Sequence, residues 1–152
     1  KIKNIQKISL DEIIEIYKIN VMANKEILDF IFKKKIQTRL IIGISSGAAL
    51  TPKIGWYLYC SSKAAFKFLI ESYAAEDKKR KYINISPGLI KTKMQNQICK
   101  IDEKKISSVK KFKLLNKKNK VPFPDEVAEN ILNTVQNLKI KKNGGYLDIR
   151  KR

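Results

Sequence analysis

Three observations place this chain in the α/β fold class with a parallel sheet. Helical and strand-like stretches alternate as helix, strand, helix, strand, helix, strand. The stretch Arg39 to Ile44 is apolar almost without interruption, as befits a strand covered on both faces. Glycine and proline stand at the junctions, at Gly47, Pro52, Gly55, Pro87 and Gly88, where a chain leaving a sheet has to turn. At 152 residues the chain can bury one sizeable core, so a single domain over 1–152 is predicted.

The first helix opens at Ser9-Leu10-Asp11-Glu12, where serine at the cap and glutamate three residues on have the spacing of a capping box. Leu10, Ile13, Ile14, Tyr17, Val21, Leu28 and Ile31 recur at roughly helical spacing and carry it to about residue 34 with one broad apolar face. The strand at 39–44 follows, then a loop over 45–56. A second helix is predicted over about 58–77, where Ala64, Ala65, Phe68, Leu69 and Ser72 give small residues and an apolar stripe suited to the sheet or to another subunit. The second strand, about 81–85, is closed by Ser86-Pro87-Gly88, and Thr92 is placed to cap whatever follows. Pro122, Pro124 and Asp125-Glu126 announce a helix over about 125–138, because proline suits a helix start and carboxylates favour the positive end of its dipole. Asn143-Gly144-Gly145 is a turn into a last strand at about 146–149.

Composition narrows the function classes. The chain is 43% hydrophobic and 31% charged, with no apolar run near the ~20 residues that cross a bilayer, so a cytoplasmic location is the expectation. Histidine is absent, which removes histidine-based triads; two cysteines, Cys60 and Cys99, have no metal-ligand spacing, and no metal site is predicted. The net charge of +19 invites a nucleic-acid reading. Against it, 29 of the 33 basic residues are lysine, whereas bidentate phosphate and base contacts favour the arginine fork. Lys, Ile and Asn together fill 64 positions, a bias that an AT-rich coding sequence would produce without selection for binding. The densest basic tract, residues 100–120, holds nine lysines against Asp102 and Glu103; it reads first as solvated surface, then as a lid-like insertion, and only third as a nucleic-acid patch.

The chemistry concentrates in Tyr59-Cys60-Ser61-Ser62-Lys63. Positions i and i+4 share a helix face, so Tyr59 and Lys63 direct a phenol and an ammonium toward one point. A free phenol has a pKa of about 10, and a nearby positive charge favours its phenolate, which suits proton exchange with an alcohol or carbonyl. A tyrosine and a lysine four apart also occur by chance on exposed helices. Two further features weigh the other way: Ser46 sits at the end of the apolar strand, where its hydroxyl can meet a substrate oxygen at the sheet's C-terminal edge, and Ser86-Pro87-Gly88 ends the next strand abruptly.

Taken in order, Ile44-Ser45-Ser46-Gly47-Ala48, Gly55-Trp56-Tyr57-Leu58-Tyr59-Cys60-Ser61-Ser62-Lys63-Ala64-Ala65 and Ser86-Pro87-Gly88 with Thr92-Lys93-Met94-Gln95 resemble the short-chain dehydrogenase/reductase family. Within it the chain is most similar to the sepiapterin reductase and benzil reductase group. The resemblance extends from about Ser9 to Asp148 and is thin between Ile98 and Val121. It implies a Rossmann-like, doubly wound parallel sheet, an NADP (or NAD) cofactor and a small carbonyl or alcohol substrate. It also implies a homodimer in the complete protein, formed by the two long helices. Family members begin with a glycine-rich strand-turn-helix that holds the cofactor pyrophosphate; the six glycines here do not compose it. The chain is therefore expected to be the C-terminal catalytic part, lacking the nucleotide-binding half and inactive alone.

Carried over by position, the resemblance makes Tyr59 the acid/base, Lys63 the group that lowers its pKa and bonds the cofactor ribose, and Ser46 the support of the developing oxyanion. Asn20 would hold a water linking Lys63 to solvent. Pro87, Gly88 and Ile90 would present backbone to the nicotinamide, with Thr92 bonding its carboxamide or the nearby phosphate. Asp148, in a segment similar to that where sepiapterin reductases place an aspartate against the pterin, reads equally as a substrate ligand or as an exposed strand-end carboxylate. Trp56 and Met94 read equally as pocket lining and as packing. Besides a carbonyl reductase, two readings stay open: a truncated copy without activity that keeps a dimerisation surface, and a basic nucleic-acid module.

Overall fold

The computed structural model describes residues 2–104, 106–118, 120–140 and 142–150. Its first helix, α1 (Leu10–Tyr17), starts with the predicted capping box: Ser9 Oγ accepts from Glu12 N at 3.3 Å and Glu12 Oε2 accepts from Ser9 N at 3.1 Å. The helix then widens into one π turn, Lys18–Met22, before continuing as α2 (Ala23–Lys33). The single rod predicted over 9–34 is present, with an inserted turn that its periodicity did not reveal. Widening shifts backbone pairing, and the Asn24 side-chain amide supplies a donor to the Asn20 carbonyl at 3.1 Å.

Three parallel strands, β1 (Leu40–Ile44), β2 (Lys81–Ser86) and β3 (Gly145–Asp148), lie in the order β1-β2-β3. Parallel neighbours need long crossovers. The first is α3 (Tyr57–Glu76); the second contains α4 (Lys93–Cys99), α5 (Val109–Lys117) and α6 (Pro124–Gln136). Strand alternation on β2 sends Tyr82 into a core with Leu28, Phe66, Ile70 and Ala74, and sends Ile83 and Ile85 into one with Val127 and Ile149. Helices thus cover both faces of the sheet. At Gly43 a β-carbon would lie 2.8 Å from Ile70 Cγ1, so the missing side chain is what lets α3 approach β1 so closely.

The face that α3 buries differs from the predicted stripe. Leu58, Ser62, Phe66, Ile70 and Ala74 are buried, an i, i+4 series, whereas Phe68 is 66% exposed. Small and apolar residues occur on both sides of this helix, and only the sheet's position decides which side is covered. Part of the Lys-rich tract is also more than solvated surface: Ile106, Val109 and Phe112 are buried with Ala48, Trp56, Cys60 and Ile98 in a third cluster.

A polar knot closes the opposite end of the sheet. Asp77 accepts from Arg80 Nη1 at 2.7 Å, from Tyr82 Oη at 2.7 Å and from Lys79 N at 2.9 Å. Burial pushes its pKa up, but the hydrogen bonds from Arg80, Tyr82 and Lys79 outweigh burial and hold it at about 2. Asn143 joins the knot to β3, accepting from Tyr82 N at 2.7 Å and donating to the Ala74 carbonyl at 3.0 Å.

Among the described residues no strand pairs with the outer edge of β1. Leu10, Ile27, Phe30 and Phe68 are exposed on α1, α2 and α3. No helix of the described residues is long and apolar enough to cross a membrane.

Candidate active site

Ser46, Tyr59 and Lys63 meet at the C-terminal end of β1. Ser46 leaves the strand in an extended conformation and caps a short 3-10 turn, Gly47–Ala49, through its Oγ, which accepts from Ala48 N at 3.2 Å. Tyr59 and Lys63 are one turn apart on α3. Lys63 Nζ donates to the Ile44 carbonyl at 3.0 Å, the residue two before Ser46. Burial raises the Tyr59 pKa, and a hydrogen bond with Ser46 offsets part of that rise. Burial lowers the Lys63 pKa. One of the three Lys63 ammonium donors is thus engaged by a backbone carbonyl, and burial is the largest influence on the Tyr59 phenol.

Asn20, in the π turn, donates through Nδ2 to Ser62 Oγ at 2.9 Å, and Ser62 Oγ donates to the Tyr59 carbonyl at 3.1 Å. Its amide is thus bonded to the residue preceding Lys63. Ser62, fully buried, is a positioning residue that the sequence reading missed; its signal was the second serine between the tyrosine and the lysine.

Gly88 adopts φ +82°, a conformation that favours glycine, at the turn after β2. Ile90 packs its side chain against the Ile83, Ile85, Val127 and Ile149 core, and Lys91 N donates to the Pro122 carbonyl at 2.9 Å, so the 87–92 turn is fixed at both faces. Thr92 caps α4 as predicted, Oγ1 accepting from Gln95 N at 3.3 Å. Ser45 Oγ and Ser86 Oγ, buried at the ends of β1 and β2, have no hydrogen-bond partner among the described residues.

The substrate-lining expectations fare differently. Trp56 is 4% exposed; its Nε1 donates to Ser108 Oγ at 2.9 Å and its ring stacks on Phe112 at 5.0 Å between centroids. Packing, rather than pocket lining, accounts for it. Met94 is exposed on α4. Asp148 is engaged by Arg150, which donates to it from Nε at 2.8 Å and Nη2 at 2.5 Å. A cavity of about 710 Å³ lies to one side of the Tyr59 site, lined by Leu50, Ile54, Tyr57, Cys60 and Ala64 among others; Ser46, Tyr59 and Lys63 do not line it. Among the described residues no group of three His, Cys, Asp or Glu side chains could hold a metal ion.

A parallel sheet covered on both faces, with serine, tyrosine and lysine gathered at its C-terminal edge, defines a Rossmann-like α/β protein. The chain belongs to the short chain dehydrogenase family, whose model matches residues 1–102. It is 31% identical over 157 residues to benzil reductase ((S)-benzoin forming) of Bacillus subtilis (strain 168), covering 98% of this chain and 63% of that protein. It is 31% identical over 111 residues to the sepiapterin reductase of Bos taurus, covering 73% of this chain and 41% of that protein. A short chain dehydrogenase/reductase from Saccharomyces cerevisiae superposes with a TM-score of 0.85 at 23% identity, covering 99% of this chain and 61% of that one. The KRED1-Pglu enzyme superposes with a TM-score of 0.82 at 23% identity, covering 96% of this chain and 62% of that one. The chain thus spans about three fifths of the length of these structures and of the bacterial relative.

Proposed function

We propose that this chain supplies the proton-transfer and substrate side of an NAD(P)-dependent carbonyl reductase or alcohol dehydrogenase. The observation that carries the reading is the meeting of Ser46, Tyr59 and Lys63 at the end of β1. Tyr59 gives its phenolic proton to the carbonyl oxygen in reduction and takes it back in oxidation. Ser46 donates to the same oxygen as charge develops. Lys63, released from the Ile44 carbonyl, is within the same end of the sheet to stabilise the phenolate left on Tyr59. Asn20 and Ser62 hold α3 in register with the π turn, on the side from which Lys63 would be reprotonated by way of water at Asn20.

The residues present fit the nicotinamide end of a dinucleotide: Gly88, at φ +82°, turns the chain at the end of β2, Ile90 and Thr92 continue it, and the orphaned hydroxyls of Ser45 and Ser86 lie buried at the ends of the two strands leading to the site. When bound, that cofactor supplies the hydride. Relatives named for benzil and sepiapterin reduction, and neighbours crystallised with NADH, NADPH or NADP, support this class of cofactor and a small carbonyl substrate. We assign Lys63 the ribose contact, the 100–120 segment the role of a lid within a single domain, a homodimer through the exposed faces of the long helices, and a cytoplasmic location. An inactive copy kept only for dimerisation would have no need of the Ser46, Tyr59 and Lys63 arrangement.

The experiment joins this chain to the nucleotide-binding half of the Bacillus relative and follows reduced nicotinamide consumption with benzil. Turnover that depends on Tyr59 is the expected result; a soluble chimera that binds cofactor yet shows no Tyr59-dependent turnover with benzil or other dicarbonyls would sink the reading.

A further inference from the structure

Arg150 follows β3 and reaches back over the site. A β-carbon on Gly88 would lie 2.5 Å from Arg150 Cδ and 3.0 Å from its Nε, so the arginine stem rests directly on the Pro87-Gly88 turn. A β-carbon on Gly47 would lie 3.9 Å from Arg150 Nη2, which brings the guanidinium beside the residue next to Ser46. The side chain therefore spans the turn after β1, beside Ser46, and the turn after β2. Asp148 fixes its plane by the two-pronged contact, with its carboxylate almost covered while the arginine side chain stays 56% exposed. An arginine held in this way is pre-oriented, and its outward edge offers donors in a geometry matched to a carboxylate.

The surrounding charge points the same way. Lys53 Nζ lies 5.6 Å from the Trp56 ring centroid and 5.9 Å from that of Phe112; burial is the main cause that lowers its pKa, and the positive charges of Arg150 and Lys111 lower it further. Asp148 offsets only one of these three cations. The rim facing the Ser46 turn thus carries excess positive charge in a partly desolvated setting, where an anion is favoured. This reverses what Asp148 alone suggests: the carboxylate that could have met a guanidine-like ring already holds a guanidinium of its own chain.

We propose that Arg150 is a substrate-recognition residue that selects carbonyl compounds bearing a carboxylate beside the reacting carbon. The proposal rests on the reading of Ser46, Tyr59 and Lys63 as the reacting end. Its test is a matched pair of probes, phenylglyoxylate and its methyl ester, which differ in charge and share the ketone. In calorimetric titration of the chain at low salt, the acid is expected to bind at least tenfold more tightly than the ester. Arg150→Gln should reduce that ratio to near one, and Arg150→Lys should restore part of it. Equal binding of acid and ester by the unaltered chain, or an unchanged ratio in Arg150→Gln, overturns the proposal. Binding needs no turnover, so the two readings separate. If the ratio behaves as expected but the chimera with the nucleotide-binding half reduces neither probe, the reductase assignment falls and the anion site stands. If both probes are reduced with equal kcat/KM, the anion site falls and the reductase stands.

Discussion

Asn20 and Ser62 are 42 residues apart in the chain and 2.9 Å apart in space, joined by an amide-to-hydroxyl hydrogen bond that fastens the π turn to α3 beside Lys63. Since Ser62 is fully buried and also donates to the Tyr59 carbonyl, the bond locates the helix that carries both Tyr59 and Lys63. Asn20→Ala should lower stability by about 0.5–1.5 kcal/mol, the usual net worth of such a bond. Urea midpoints of Asn20→Ala, Ser62→Ala and the double variant check this: a coupling energy of zero would mean the two side chains do not support each other.

Tyr59→Phe removes the phenolic hydroxyl, and with it the proton proposed for transfer and the hydrogen bond with Ser46. In the chimera, reduction should fall by about 10²-fold or more while cofactor affinity changes little. The pH dependence follows from the raised phenol pKa. The protonated form is the donor, so a raised pKa keeps reduction supplied with its proton through neutral pH and beyond about 10, the ordinary value. Oxidation needs the phenolate and should rise with pH over the same range. A reduction rate that declines between pH 6 and 8 as a tyrosine deprotonates would contradict the burial of Tyr59.

The Asp77 knot sets an acid limit on stability. With a folded pKa of about 2 against an ordinary 3.8, the unfolded chain binds the proton more readily. The contribution is fully present above about pH 4 and is lost as the pH falls toward 2. Asp77→Asn should therefore cost stability at pH 6 and remove the part of the acid slope between pH 4 and 2 that this residue supplies. Urea melts at stepped pH values give both numbers, and an unaltered slope in the variant would show that other carboxylates set it.

At Gly43 the close approach of Ile70 leaves no room for a methyl group. Gly43→Ala should destabilise by about 1–3 kcal/mol, the cost of overpacking a well-filled core. Shortening the neighbour with Ile70→Val should recover part of the loss. Thermal melts of the two single variants and the pair decide it; simple additivity would mean that Ile70 is not the obstacle.

The 152-residue chain by itself should associate. The outer edge of β1 is unpaired among the described residues, and Leu10, Phe30 and Phe68 are 75%, 56% and 66% exposed. Its net charge of +19 acts against association, so raising the salt should strengthen it. Light scattering across salt concentrations is the measurement, and a compact monomer that melts cooperatively at every salt would show these faces to be tolerated in water.

Local chemistry was legible in the sequence because it acts over one or two turns of chain. The Ser9 and Glu12 capping box, the Thr92 cap, Pro124 at the start of α6 and the shared face of Tyr59 and Lys63 depend on residues at most four apart, and the structure holds each of them. The strands were readable from their apolar runs, and Ser46 from its place at a strand end. What needed tertiary structure involves partners distant in sequence. Trp56 is a core residue because Ser108 and Phe112 come to it, α3 buries Phe66 and Ile70 rather than Phe68 because the sheet lies on that side, and Lys63 meets the Ile44 carbonyl rather than the phenol. Arg150 lies far in sequence from Gly88, and only the fold lays it across that turn with Asp148 as its anchor. Periodicity and spacing fix which groups a short segment can present together; which of them are covered, paired or left facing a substrate is settled by packing between segments, and that free energy belongs to no single stretch of the sequence.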